Sequence, residues 1–500
     1  MDAAVLFFLS SGLFLGWSLG ANDAANVFGT AVGTRMVRFA TAAVICSVFV
    51  VLGAVISGGG AAHTLGKLGA VNALGGSFMA AFAAAFAVYF MTKAGLPVST
   101  TQAIVGGIIG WNLFSETRTD TGTLVTILGT WIICPLLAAA IAALLFKATV
   151  YLLRVTKPHL LRADAYTRLG LLLAGAFGAY SLGANNIANV MGVFVPASPF
   201  TDFKVLGLVT FSSTQQLFLI GALAIGVGVV TYSRAVMVTV GRSLMPLSPV
   251  AAWVAVVAHS LVLFLFASEG LERLLAENGL PTIPLVPVSS SQAVVGAVLG
   301  IGLVRGGRAI RWHVLGGIGA GWVLTPLIAG LICFVGLFFL QNVFNQQVYR
   351  PVPYVVSDQV LKRVAREGVS VAPLGDLAGR TFASARQFRG ELDKLSGLDA
   401  DARAQVMIYA ERADLFLDPA GFAGIDPLEL NTAQIEALAR LAGRRYVHRW
   451  ALAEALARQS EDWRLRPEVR VNKSYNKELQ RKLDWVFRNF GAEQQGPVAR

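Results

Sequence analysis

The chain has 500 residues, 55% hydrophobic and 14% charged, with 52 glycines, a composition that excludes a disordered polymer and fits poorly with a soluble enzyme of this length. The formal charge of +12 is unevenly placed: residues 1 to 345 hold 17 basic and 9 acidic side chains, and the last 155 positions hold 24 and 20. Runs such as 39 to 58, 73 to 92 and 123 to 146 carry almost no charge and are long enough to cross about 30 Å of hydrocarbon as helices. These features predict an all-α polytopic membrane protein with a C-terminal helical extramembrane domain.

In chain order the hydrophobic units are 3–19, 39–58, 73–92, 97–113 and 123–153, then 167–182, 204–230, 250–268, 287–303 and 312–340. Residues 1–19 lack a basic leader and run into a polar motif, not a cleavage site, so they are read as the first membrane segment. The units opening at Pro97 and Pro287 are short, glycine-rich and begin with three hydroxyl residues, the pattern of a re-entrant hairpin with its polar tip buried in protein. The unit at 123–153 is long enough for tilt or for a break near Pro135. Arg154, Lys157, Arg162 and Arg168 crowd one connection and Arg305, Arg308 and Arg311 another; both are read as cytoplasmic loops and not as nucleic-acid contacts. Arg35 and Arg38 read as membrane-edge anchors, and Trp131 and Trp322 as packing residues. Cys46, Cys134 and Cys333 are solitary, with no disulfide or zinc spacing.

The chain repeats itself. GWSLGANDAANVFGTAVG at 16–33 returns as GAYSLGANNIANVMGVFV at 178–195, which sets Asp23 opposite Asn186. LPVSTTQAIVGGIIGWNL at 96–113 returns as VPVSSSQAVVGAVLGIGL at 286–303, and GTWIICP at 129–135 is echoed by AGWVLTP at 320–326. The order is the same in both halves, which describes a membrane domain built by duplication, with repeats at 1–155 and 165–342. The basic connection lies between them, and an inverted pair is the expected arrangement.

The repeated residues are polar, and polar groups are costly in lipid unless they face one another, water or a ligand. Asn22, Asp23 and Asn26 come from the first copy and Asn185, Asn186 and Asn189 from the second, each set among glycines that would let a helix break. Ser99, Thr100, Thr101 and Gln102 add hydroxyls and an amide, matched by Ser289, Ser290, Ser291 and Gln292. Hydroxyls, amides and open helix N-termini suit a tetrahedral oxyanion, because they donate directed hydrogen bonds without a permanent charge and so allow release. Ser and Thr at these positions are also good helix caps. Asp23, ionised among amide oxygens, suits a small cation or a transferable proton. A sodium site at Asp23, Asn22 and Asn186 is one arrangement these residues allow, with Asn185 in the same coupling region. His63, His159, His259, His313 and His448 show neither repeat symmetry nor ligand spacing and are read as structural.

GANDAANVFGTAVG at 20–33 resembles the signature of the inorganic phosphate transporter family, and PVSTTQAIVGGIIG at 97–110 and PVSSSQAVVGAVLG at 287–300 resemble its paired hairpin motifs. The resemblance covers about residues 3–340. It implies an inverted-repeat transporter with broken helices and re-entrant hairpins, phosphate as the usual substrate, and sodium or a proton as coupling ion, with no other cofactor. It also implies that Asn22, Asp23, Asn26, Asn185, Asn186 and Asn189 belong to the ion and substrate region, and that the two hydroxyl triplets contact the anion. Asn186 stands where the family usually keeps a second aspartate, so coupling through two aspartates does not carry over; sulfate, carried by some members, is the alternative substrate.

Beyond Gln341 the chain changes character. Residues 357–394 and 401–490 read as amphipathic helices, with strong runs at 433–460 and 475–489, a breaker at 421–427 and a frayed tail over the last ten residues. Residues 350–500 are expected to form a regulatory or oligomerising domain, cytoplasmic, on a multi-pass protein of the plasma or inner membrane. The expected partners are phosphate or sulfate, the lipid bilayer and a second copy in a homodimer. A membrane enzyme lacks a nucleophile or metal set beside an acid or base; a phosphate sensor or channel is the nearer alternative.

Overall fold

A computed structural model describes residues 3–69, 71–93, 98–205, 209–234, 236–237, 245–422, 425 and 429–491. Pro97, part of the 421–427 breaker and the tail from 492 onward lie outside the described residues. The described residues form two compact units, one of Met1–Ser115, Thr119–Leu271 and Ile283–Arg350, the other of Glu116–Arg118, Glu272–Thr282 and Pro351–Arg500.

In the first unit α1 is Ala3–Gly33, α2 Phe39–Ser57, α3 Gly59–Leu68, α4 Leu74–Lys93, α5 Thr100–Ser115 and α6 Thr121–Thr156. α7 is Leu160–Met191, α8 Ser213–Thr231, α9 Pro249–Leu265, α10 Glu269–Glu277, α11 Ser290–Val304 and α12 Trp312–Asn342. Side-chain caps fix several starts: Asp120 accepts from Thr123 N, Ser212 and Gln215 close a capping box, and Ser248 precedes Pro249 at the first helical position. The capping box places the start of α8 at 213; the stretch expected to be helical from 204 begins instead as an antiparallel pair, β1 (Phe203–Val205) with β2 (Val209–Phe211). Six described helices are long and apolar enough to cross a membrane, seven if α9 and α10, bent by 65°, count as one span.

Glycines join the two halves backbone to backbone. A Cβ at Gly20 of α1 would overlap the Ile225 carbonyl oxygen of α8, and one at Gly183 of α7 would overlap that of Val50 in α2. Gly53 and Tyr180, then Gly228 and Trp17, complete the same two helix pairs. Likewise Gly106 of α5 sits on the Pro326 carbonyl of α12, and Gly296 of α11 on the Pro135 carbonyl of α6. Each contact from one half to the other recurs with the roles exchanged, as a two-fold relation requires.

These contacts explain two departures from expectation. α1 and α7 run unbroken through the GAND and GANN motifs, because the glycines there serve close helix packing instead of a break. α6 also continues through Pro135. Distant ties also sort the helix ends into two faces. On one, Asn72 exchanges hydrogen bonds with the Arg350 backbone (2.8 and 2.9 Å), Ser77 Oγ donates to Val193 O (2.7 Å) and Thr64 Oγ1 to Leu285 O (2.5 Å). On the other, Gly29 lies against Met237, and Gly302 against Ile310 and Met245. Residues 283–304 therefore run from the first face to the second as a non-helical segment followed by the single helix α11, not as a re-entrant hairpin returning to its own face.

The second unit has two small cores, one spanning Tyr354 to Ala410 and the other Leu415 to Phe490. They are variations on one theme that the hydrophobic pattern does not announce. LAGRTF at 377–382 returns as LAGRRY at 441–446. Gly379 and Gly443 both adopt φ of 74°, and their N–H groups donate to Val356 O (2.7 Å) and Leu417 O (2.8 Å). The strand pairs Tyr354–Val355 with Thr381–Phe382, and Leu415–Phe416 with Arg445–Tyr446, follow in each copy. Gly→Ala at either position is expected to cost about 1–2 kcal/mol and to speed limited proteolysis of this unit, whereas Ala at Gly390, which meets nothing within 4 Å, leaves the rate unchanged.

Candidate functional site

Every residue singled out in the two signatures and the two hydroxyl triplets is buried: Asn22, Asp23 and Asn26 on α1, Asn185, Asn186 and Asn189 on α7, and residues 99–102 and 289–292 at the starts of α5 and α11. Burial of so many polar groups requires partners. Asp23 is the hub of the first half. Its Oδ1 accepts from Asn22 Nδ2 (3.1 Å) and Asn26 Nδ2 (3.3 Å), and its Oδ2 accepts from Thr100 Oγ1 (3.3 Å). Asn22 Nδ2 also reaches Val98 O (3.2 Å), which ties α1 to the segment leading into α5.

The second half repeats the plan without a carboxylate. Asn189 Nδ2 donates to Asn186 Oδ1 (2.8 Å), the counterpart of the Asn26–Asp23 bond. Asn185 brackets the segment before α11, its Nδ2 donating to Val286 O (3.1 Å) and its Oδ1 accepting from Val288 N (2.8 Å). The halves are then laced together: Asn26 Nδ2 donates to Ser290 Oγ (3.1 Å), Asn189 Nδ2 to Thr101 Oγ1 (2.9 Å), and Thr101 Oγ1 to Val288 O (3.2 Å). One polar centre thus draws on α1, α5, α7 and α11. Asn186 and Asp23 share the centre, each bonded to the asparagine three residues further along its own helix.

The triplets divide by role. Ser99 and Ser289 are caps, accepting from Gln102 N and Gln292 N (3.2 Å each), and Ser289 Oγ also meets Ser291 Oγ (3.0 Å). Their hydroxyls are thereby engaged with their own helices, while Thr100 donates to Asp23 and Thr101 and Ser290 accept from Asn189 and Asn26. Several buried atoms have no hydrogen-bond partner: Gln102 Oε1 and Gln292 Oε1, one from each repeat, with Asn189 Oδ1 and Asn186 Nδ2. Such atoms carry a desolvation cost of about 1–3 kcal/mol each, and three of them are amide oxygens of the hard type that binds alkali cations. No group of three or more His, Cys, Asp or Glu able to hold a metal occurs among the described residues.

One member escaped the sequence reading. His259 on α9 is fully buried, and its Nε2 lies 3.0 Å from Ser290 Oγ. It carries no repeat signal, because its position in the first half holds no polar mate. Phe7 stacks on Phe78 where Gly170 meets Trp253, and Phe14 packs on Tyr89 where Phe177 packs on Phe264; both pairs align α9 with α4 so that His259 falls on Ala84. Trp131 and Trp322 are indeed repeat mates that pack against the core, and both indole N–H groups lack a partner.

The model of the phosphate transporter family matches residues 19–333 and 278–452. A protein of Methanocaldococcus jannaschii named "Putative phosphate permease" is 28% identical over 323 residues, covering 64% of this chain and 93% of that one. The sulfate permease of Bacillus subtilis is 27% identical over 358 residues, 69% of this chain and 89% of its own length. Among solved structures, one titled "The sodium-dependent phosphate transporter" aligns with a TM-score of 0.55 at 23% identity, covering 68% of this chain and 100% of that chain, and supports the fold.

Proposed function

Because the chain belongs to the phosphate transporter family, a family of multi-pass membrane transporters and not of enzymes, we propose that it moves inorganic phosphate by cation-coupled symport with alternating access. The observation that carries this reading is the single buried centre in which one carboxylate, Asp23, is held by Asn22, Asn26 and Thr100 while both repeats contribute amides and hydroxyls. Donors of this kind match a tetrahedral oxyanion, and the carboxylate with nearby amide oxygens matches sodium or a proton. A cation at Asp23 lessens the repulsion between that carboxylate and an entering anion, which makes binding of the two mutually dependent. The repeats at 1–155 and 165–342, read as an inverted pair and interlocked through glycines, supply the two-fold arrangement around a central site that alternating access uses.

Sulfate is the second reading, supported by Asn186, which lowers the negative charge of the site, and by the likeness to a sulfate permease. Binding of labelled phosphate to the purified protein, with sulfate as competitor, tests the choice: phosphate-selective displacement is expected, and preferential displacement by sulfate contradicts it. Thr101→Ala and Ser290→Ala are each expected to weaken phosphate binding by about 10- to 100-fold, the worth of a hydrogen bond to a charged group.

The membrane charges favour an orientation opposite to that expected for the C-terminal region. Following the crossings along the chain, all described basic residues of the first 345 except Lys67, Arg118, Lys204 and Arg273 fall on the face of Arg154–Arg168 and Arg305–Arg311, and Asp164 is the one acidic residue there among the described residues. By the positive-inside rule that face is cytoplasmic. The chain leaves α12 at its other end, so residues 350–500, read as a regulatory domain, emerge outside the cytoplasm. A membrane-impermeant maleimide tests this, since the three native cysteines are buried. Ser370→Cys is expected to label in intact cells and Arg308→Cys only after permeabilisation; the reverse pattern contradicts the orientation.

A further inference from the structure

We propose that His259 is the titratable group of the second half of the binding centre, a positioning residue that takes up a proton as the oxyanion binds and turns the Ser290 hydroxyl toward it. The inference rests on the reading of this centre as an oxyanion site. Thr100 and Ser290 are repeat mates, and each is hydrogen-bonded to one ionisable side chain: Thr100 Oγ1 to Asp23 Oδ2 (3.3 Å) and Ser290 Oγ to His259 Nε2 (3.0 Å). The second half has an amide, Asn186, where the first has its carboxylate, and a histidine where the first has Ala84. The two halves thus each carry one titratable group, on different helices but against matching hydroxyls.

The hydroxyl's lone pairs decide what protonation does. Ser290 Oγ already accepts from Asn26 Nδ2 (3.1 Å). A neutral His259 with a bare Nε2 accepts the Ser290 hydrogen, which keeps that hydrogen from any anion. An imidazolium instead donates from Nε2 and fills the second lone pair, so the Ser290 hydrogen must point elsewhere and becomes a donor to the oxyanion. The added proton also puts a positive charge beside the anion, and its return to solvent after the site reopens releases both. One proton then accompanies each anion through this half, in place of the cation that a carboxylate at 186 would hold. His259 Nδ1 is buried without a hydrogen-bond partner, so a charged ring is held there by the anion beside it and gives up its proton when the anion leaves.

α9 packs against α1, α6, α7 and α11. From these the ionisable groups near His259 are Asp23, reached through Ser290 and Asn26, and Cys134, whose Sγ lies 3.8 Å from Ser289 O. Tyr180 on α7 is engaged by Ser57 (2.7 Å). Lys147 on α6 and Tyr166, Asp164 and Arg168 on α7 stand well over ten residues along their helices from the level of the centre, about 15 Å or more at 1.5 Å per residue. Asp23 and His259 are joined by the chain His259–Ser290–Asn26–Asp23.

His259→Gln keeps a hydrogen-bonding side chain beside Ser290 but takes no proton. In proteoliposomes of the full chain at saturating sodium, the KM for phosphate is compared between about pH 6 and pH 8, the window in which an imidazole titrates. The ionisation of phosphate itself is common to both proteins, so the difference between them reports the residue. The wild-type KM is expected to rise at least about 5-fold more than that of H259Q across this window; identical profiles overturn the proposal. Absence of phosphate binding in the wild type defeats the underlying reading instead. Should the variant not fold, 15N NMR of histidine-labelled wild type decides: one histidine shifting to the imidazolium position on phosphate saturation supports the proposal, and five unmoved histidines overturn it.

Discussion

Replacing Asp23 by Asn is expected to lower cation-driven uptake by at least about 100-fold, the scale on which a buried, hydrogen-bonded charge acts, while the protein remains folded in detergent. The carboxylate accepts from Asn22, Asn26 and Thr100. An amide in its place keeps one acceptor oxygen and turns a donor toward the other partners, and it has no charge to offset sodium or a proton. The loss therefore falls on coupling more than on packing. Uptake into proteoliposomes with and without an imposed sodium gradient checks this. Asp23→Asn that retains the gradient dependence of the wild type would remove Asp23 from the coupling role. The matched position of the second half, Asn186, holds an asparagine, which makes D23N a test of whether the centre can work with no carboxylate at all.

The second large effect is structural. Gly20→Val and Gly183→Val are each expected to destabilise the membrane unit by more than about 3 kcal/mol, seen as loss of the monodisperse peak in size-exclusion chromatography and a lower Tm. The added side chain meets a main-chain carbonyl, of Ile225 or Val50, which cannot swing aside as the tip of a long side chain can. Separating α1 from α8, or α7 from α2, also displaces the signature asparagines carried on the same helices. Gly129 on α6 and Gly316 on α12 provide the comparison, since a Cβ there meets nothing within 4 Å. Alanine at either leaves Tm within a degree or two, because Ala favours a helix over Gly by about 1 kcal/mol. Equal loss at all four sites would mean that close packing is not what these glycines serve.

Much of this architecture is legible in the residues. The duplicated signatures place Asp23 opposite Asn186 and Thr100 opposite Ser290, and all of them meet in one buried centre. The split between an apolar region and a charged C-terminal region follows from composition alone. Less legible is what a glycine does. Gly20 and Gly183 are equally compatible with a helix break and with a close crossing, and only the partner carbonyl, contributed by a distant helix, decides between them. The same holds for the short unit ending at Val304: length and polarity do not say whether a segment turns back or runs on, whereas the ties of Leu285 to Thr64 and of Gly302 to Met245 do.

His259 shows the limit from the other side. A search by repeat symmetry finds residues that come in pairs, and this one pairs with an alanine, so it carries no sequence signal until α9 is packed against α11. The duplicated LAGR motif of the C-terminal unit is faint for a different reason: its four residues are too few to stand out from helical background, and their meaning lies in the positive φ of Gly379 and Gly443.

Coupling of an anion to a cation gradient at this centre is read out by accumulation of labelled phosphate inside proteoliposomes. With an inward sodium or proton gradient, phosphate is expected to rise above its external concentration, to fall back when an ionophore collapses that gradient, and to be outcompeted by unlabelled phosphate before sulfate. Equilibration that stops at the external concentration, indifferent to either gradient and to the ionophore, would describe a channel and contradict the account.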